Sequence, residues 1–139
     1  MTRPDHEEIE MPTLPWTTAR HATAADGEAL VMASRFQLRS FRHVLPFLRD
    51  AMRVRALVRR SEGALGVSLV ARPLHREFRT LSAWRDRAAL DAMVRTEPHR
   101  SVMGRYHRAM TASAFVFYTP QTYPPTWAEA EEQLLRSRA

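Results

Sequence analysis

Between Arg76 and Met103 the apolar residues change their spacing without a break. Phe78, Thr80, Ser82 and Trp84 alternate with their neighbours and share one face of a strand, whereas Ala88, Leu90, Met93 and Val94 recur at three- and four-residue steps. This stretch is a strand that runs straight into an amphipathic helix. Asp86 opens that helix, and Pro98 opens a second, short one with His99 in its first turn.

The flanking sequence completes the pattern. Ala29 to Leu38 alternates as a first strand, with Leu30, Met32, Ser34, Phe36 and Leu38 on one face. Helix is expected from Ser40 to Arg60, its main part starting at Pro46, where proline's missing N–H does no harm. Phe47, Ala51, Val54 and Val58 form its buried stripe, with Arg49, Arg53 and Arg60 outside. Gly63 is a natural helix stop. Strands follow at Ala64 to Ala71 and Arg76 to Trp84, helices at Asp86 to Arg95 and Pro98 to Arg108, and a last strand at Ser113 to Thr119. The order βαββαβ predicts an α+β, ferredoxin-like domain over residues 29–119, a four-stranded antiparallel sheet with both helices on one face. The first and third strands are expected side by side and parallel at its centre. Residues 1–28 read as an extended arm in which Leu14, Pro15 and Trp16 are an anchor packed on a groove or a lid over a ligand, and residues 120–139 as a turn and a final helix from Trp127 to Arg136, capped by Thr126 and Glu129, that packs on the domain or reaches across to a partner.

The second and last strands are apolar on both faces: Leu65, Val67 and Leu69 against Val70, and Phe115 and Phe117 against Val116 and Tyr118. A sheet covered by helices on one side and water on the other should alternate cleanly. A second copy of the same sheet would cover the open face, so a homodimer is expected.

Composition removes several function classes. The chain has no cysteine, which excludes disulfides, thiolate nucleophiles and Cys-based metal sites. No run of about 18 apolar residues crosses a membrane, and the acidic, proline-broken start is no secretory signal, so a cytoplasmic protein without a membrane partner is expected. All 21 basic residues are arginine. Residues 35–108 carry seventeen of them against six acids, while the flanks are acidic. Acidic segments over a basic body argue against a nucleic-acid partner, and no aromatic interleaving suits single strands. The His-Glu-x-x-His, Gly-rich phosphate-loop and Gly-x-Ser-x-Gly patterns are absent, and His99 and His107 are about 12 Å apart on a helix, so no metal site is expected.

Small-molecule chemistry remains. Ser34 and Phe36 should lie near Thr80, Ser82 and Trp84 on the helix-covered side, where a pocket would form. Trp84 either lines that pocket or fills core, and Thr80 and Ser82 either face a ligand or bond locally. His99, at the positive end of a helix, is disfavoured in its protonated form and is either a base, a ligand or a cap.

The pattern Ser82-x-Trp84-x-Asp86-x-x-Ala89-Leu90, followed by Pro98-His99 within βαββαβ, resembles the antibiotic biosynthesis monooxygenase superfamily of dimeric α+β barrels. That resemblance implies cofactor-independent oxidation of a small aromatic or polyketide-like substrate, with heme binding as the alternative, or a non-catalytic binding dimer. Catalytic roles then fall to His99 and Trp84, and substrate binding to Ser34, Phe36, Thr80 and Ser82. Met93 stands where many such proteins carry histidine. In the heme-degrading branch an asparagine stands where this chain has Ser34, and the axial histidine lies near Met103. For heme, Arg35 is the expected propionate partner.

Overall fold

The computed structural model describes residues 13–19 and 29–137. Among them, five strands and four α-helices follow as β1 (Thr13–Thr18), β2 (Leu30–Leu38), α1 (Val44–Arg60), β3 (Ala64–Arg72), β4 (Glu77–Trp84), α2 (Arg87–Val94), α3 (His99–Tyr106), β5 (Met110–Tyr118) and α4 (Trp127–Arg136). Local chemistry sets the boundaries. Pro46 lies in the first turn of α1, where backbone N–H groups have no intrahelical partner. Gly63 closes the turn after α1 with φ of 87°, in the left-handed region. Asp86 caps α2 by accepting from the Ala89 N–H at 2.9 Å, and Thr126 caps α4 by accepting from the Glu129 N–H at 3.2 Å.

The strands form one sheet in the order β1-β3-β4-β2-β5, and every neighbouring pair is antiparallel. The ferredoxin-like core is therefore present, but its central strands β2 and β4 are antiparallel, not parallel as expected. The physical reason is the connection. Helix α1 carries the chain back so that β2 and β3 run the same way without touching, and the hairpin at Pro73–His75 then reverses β4. The expected neighbours still meet, through cross-strand pairing: Ser34 lies opposite Thr80, Met32 opposite Ser82 and Phe36 opposite Phe78.

The fifth strand comes from the segment expected to be an arm. Leu14 pairs with Leu69 and Thr17 with Val67, and Ser68 Oγ donates to the Leu14 carbonyl at 2.8 Å. Pro15 is tolerated because β1 is an edge strand. The rest of that arm, with His6 and His21, lies outside the described residues.

Helices α1, α2 and α3 cover one face. Trp84 packs there with Leu57, Val58, Leu90 and Met93, and Phe47 sits against Phe78 and Tyr106 with ring centroids 4.7 and 5.0 Å away. The opposite face, with Val31, Leu65, Leu81 and Ala83, is dry as expected, but its cover differs. Ala130 and Leu134 of α4 pack on it, joined by Trp16 and Trp127. The chain thus covers the centre of this face with its own helix, while Phe115 and Phe117 of β5 stay partly exposed on the other side of the sheet. Beyond α4's apolar stripe, buried Glu77 is held by Arg35, Arg72 and Arg79, and Arg79 also reaches Glu131 of α4.

Candidate functional site

A cavity of about 460 Å³ lies between the sheet and the three helices. Its floor follows from the strand periodicity: Met32, Ser34 and Phe36 of β2, Thr80 and Ser82 of β4, and Val67 and Leu69 of β3 all project to the same side. The roof is the helical stripe Phe47, Ala51, Val54 and Val58 of α1, with Leu90 and Met93 of α2 and Val102 and Met103 of α3. Phe115 and Phe117 of edge strand β5 complete the wall and are each 42% exposed, so the cavity opens at this edge. Arg87 sits over the Phe117 ring, 4.3 Å from its centroid, and pairs with Asp91 at 3.1 Å.

Five of the six sequence-predicted residues meet here: Ser34, Phe36, Thr80, Ser82 and His99. The hydroxyls of Ser34 and Thr80 bond each other, leaving the pair a lone pair or proton to share with a guest. Trp84 does not line the cavity. It is fully buried beside it, and its indole N–H donates to Ser82 Oγ at 2.9 Å, which fixes that hydroxyl's orientation. The antiparallel register places Trp84 opposite Leu30 and Ala64, beyond the open part of the floor. Its place is thus beneath the helices as expected, with a supporting contact in place of a substrate contact.

His99 is the first residue of α3. Its Nδ1 is buried and has no hydrogen-bond partner. Burial lowers its pKa from the ordinary 6.5, opposed by a backbone hydrogen bond at Val94. The helix N-terminus acts in the same direction as burial, so the ring is neutral at pH 7. His99 lines the cavity, and an imidazole nitrogen with no partner has the free lone pair that acid–base chemistry requires.

Three lining residues carried no sequence signal of their own. Phe115 and Phe117 were legible only as strand residues, and Arg55 sits beside the apolar stripe of α1. Beneath α3, Asp50 of α1 is fully buried and accepts from Tyr106 Oη at 2.8 Å, Arg105 at 2.8 Å and Arg53 at 3.2 Å. This cluster ties α1 to the helix that carries His99. No group of three or more metal-ligating side chains occurs among the described residues, nor does any helix there have the length and hydropathy to cross a membrane. Arg35, the expected heme-propionate partner, is ion-paired with Glu77 on the opposite face of the sheet. Arg35 therefore does not supply that contact from the cavity side of the sheet.

No protein-family model and no curated protein matches the chain. Solved structures do match its fold. A cofactor-independent oxygenase from Streptomyces nogalater, SnoaB, superposes with a TM-score of 0.57 at 17% identity, covering 72% of this chain and 100% of that one. A protein of Nitrosomonas europaea provisionally assigned as an antibiotic biosynthesis monooxygenase gives 0.62 at 14% identity, over 75% and 100%. A provisionally assigned monooxygenase of Fusobacterium nucleatum gives 0.65 at 8% identity; it covers 76% of this chain, which spans only 48% of that protein's length. At these identities the likeness is one of fold, a ferredoxin-like α+β architecture that this chain shares with those structures.

Proposed function

We propose that this chain is a cofactor-independent oxygenase that acts on a flat, largely apolar aromatic or polyketide-like molecule held between sheet and helices. The observation that carries the reading is the unpartnered Nδ1 of His99 beside an apolar cavity large enough for such a guest. The fold likeness to SnoaB supports it. Ser34, Thr80 and Ser82 orient a phenol or carbonyl, and Phe36 with the other apolar walls excludes water. His99 removes a proton from an activated CH₂ group, and the resulting electron-rich carbanion reduces O₂ and joins it as a peroxide. The protonated imidazole returns its proton as the O–O bond breaks and the second C–H proton leaves. One oxygen atom stays as a carbonyl and the other departs as water, so CH₂ and O₂ give C=O and H₂O. Trp84 takes part only by holding Ser82.

Anthrone, which has such a CH₂ group, is the test substrate, with oxygen uptake as the readout. One O₂ should be consumed per molecule converted, and His99→Ala should lower kcat by about 10²- to 10⁴-fold, the usual contribution of a positioned base. An unchanged rate in His99→Ala would remove this mechanism.

A further inference from the structure

Four ionisable side chains face the cavity: Arg55, Arg87, Asp91 and His99. Arg87 and Asp91 neutralise each other at the mouth, and His99 is held neutral by its surroundings. Arg55 is different. Its Nη2 donates to Thr17 Oγ1 at 2.9 Å, but its Nε is buried with no partner, and among the described residues it forms no ion pair. Burial and the like charge of Arg59 both act against its cationic form, yet a guanidinium does not give up its proton. A cation with an unsatisfied donor at a largely apolar cavity calls for an anion.

We propose that the ligand of this cavity is an apolar acid, an aromatic body bearing one carboxylate, with Arg55 as its counterion. This deepens the preceding reading, because it names the substrate class of the same cavity. The geometry orients the guest. Arg55 lies on the β1 side of the sheet, bonded to a residue that pairs with Val67 of β3, whereas Phe115 and Phe117 open the cavity on the β5 side. Between β3 and β5 lie β4 and β2, a span of about 14 Å at the usual strand spacing, so a two- or three-ring body bridges mouth and cation. Strand β1, which lies outside the βαββαβ core, thereby gains a role: Thr17 is a positioning residue that steers the guanidinium.

The test is calorimetric titration of the full chain with 2-naphthoate and 2-naphthamide, which share the ring system and differ in charge. The wild type should bind naphthoate at least about tenfold more tightly, the contribution of one charge-assisted hydrogen bond. Arg55→Gln should bring naphthoate down to the naphthamide level without changing naphthamide, Arg55→Lys should restore part of the preference, and Thr17→Val should lose part of it. Equal affinity for both probes in the wild type, equal loss of both in a natively folded Arg55→Gln, or no binding of either would overturn the proposal. Binding is read without turnover, so a protein inactive on anthrone that still prefers naphthoate through Arg55 would sink the oxygenase reading alone.

Discussion

Replacing Gly66 by alanine would place a methyl carbon 2.3 Å from Cζ2 and 2.5 Å from Cε2 of Trp16, well inside van der Waals contact. The obstacle is a rigid ring, not the end of a flexible chain, and the segment that carries it is pinned to β3, for example by the Ala19 N–H donating to the Leu65 carbonyl at 3.0 Å. The indole must therefore leave its seat. If it exposes about 100 Å², half of a typical aromatic's buried area, the loss is about 2.5 kcal/mol. Exchanging glycine for alanine in a strand returns about 0.5 kcal/mol, leaving a net cost of about 2 kcal/mol. Urea denaturation followed by far-UV circular dichroism should show this as a lower midpoint with unchanged slope. The decisive comparison is the same change in a Trp16→Ala background, where the obstacle is gone and Gly66→Ala should be neutral or slightly stabilising. A cost of about 2 kcal/mol in both backgrounds would refute the contact, and with it the seating of β1 on β3.

Asp50→Asn should cost about 3 kcal/mol in the same assay, because it strips a fully buried carboxylate from Tyr106, Arg53 and Arg105. Burial pushes the Asp50 and Glu77 carboxyls up, but hydrogen bonds from Tyr106, Arg53 and Arg105 at Asp50, and the hydrogen bonds and charges of Arg79 and Arg35 at Glu77, outweigh it and hold them below their ordinary 3.8 and 4.5. Their stabilisation is thus complete above those values and is lost as pH falls through the lower folded-state pKa, so acid unfolding should begin below about pH 4 and be shallower in Asp50→Asn. Trp84→Phe removes the donor to Ser82 and leaves a small void; it should cost about 2 kcal/mol and raise KM more than it lowers kcat, whereas a pure loss of kcat would make the indole a substrate contact. Because burial depresses the His99 pKa, the acid limb of the kcat/KM profile should lie below 6.5, and a limb above it would contradict the environment described. Truncation after Pro120 removes α4 and bares Val31, Leu65, Leu81 and Ala83, so the shortened chain should self-associate in light scattering while the full chain stays at lower mass.

Much of the fold was legible because periodicity is a local property. The switch from two-residue to helical spacing after Trp84, the Asp86 cap and the Gly63 stop each act within a few residues, and each stands where expected. Strand direction and face cover depend on partners distant in sequence. The alternation in β2 and β4 is the same for parallel and antiparallel neighbours, so it did not reveal their antiparallel pairing. The two-sided hydrophobicity of β3 correctly called for cover on both faces, but nothing local distinguished a twin sheet from α4. Leu14-Pro15-Trp16 read as an anchor, which Trp16 is; its strand was hidden by a proline that only an edge position accommodates. In the cavity, the hydroxyls and His99 stood out as polar residues on apolar faces. Arg55 did not, since an arginine beside an apolar stripe reads as solvated until its unpartnered Nε is seen.

The most direct test of the cavity as the ligand site uses the methionine methyl groups. Met32, Met93 and Met103 line it from the sheet, α2 and α3, whereas Met52 is exposed on α1 and lines no part of it. Titrating 2-naphthoate into protein carrying ¹³C-methyl methionine should move the first three resonances by ring-current shifts and leave Met52 in place. Movement of Met52 with the other three unchanged would put the guest on the outer surface and empty the proposed site of its function.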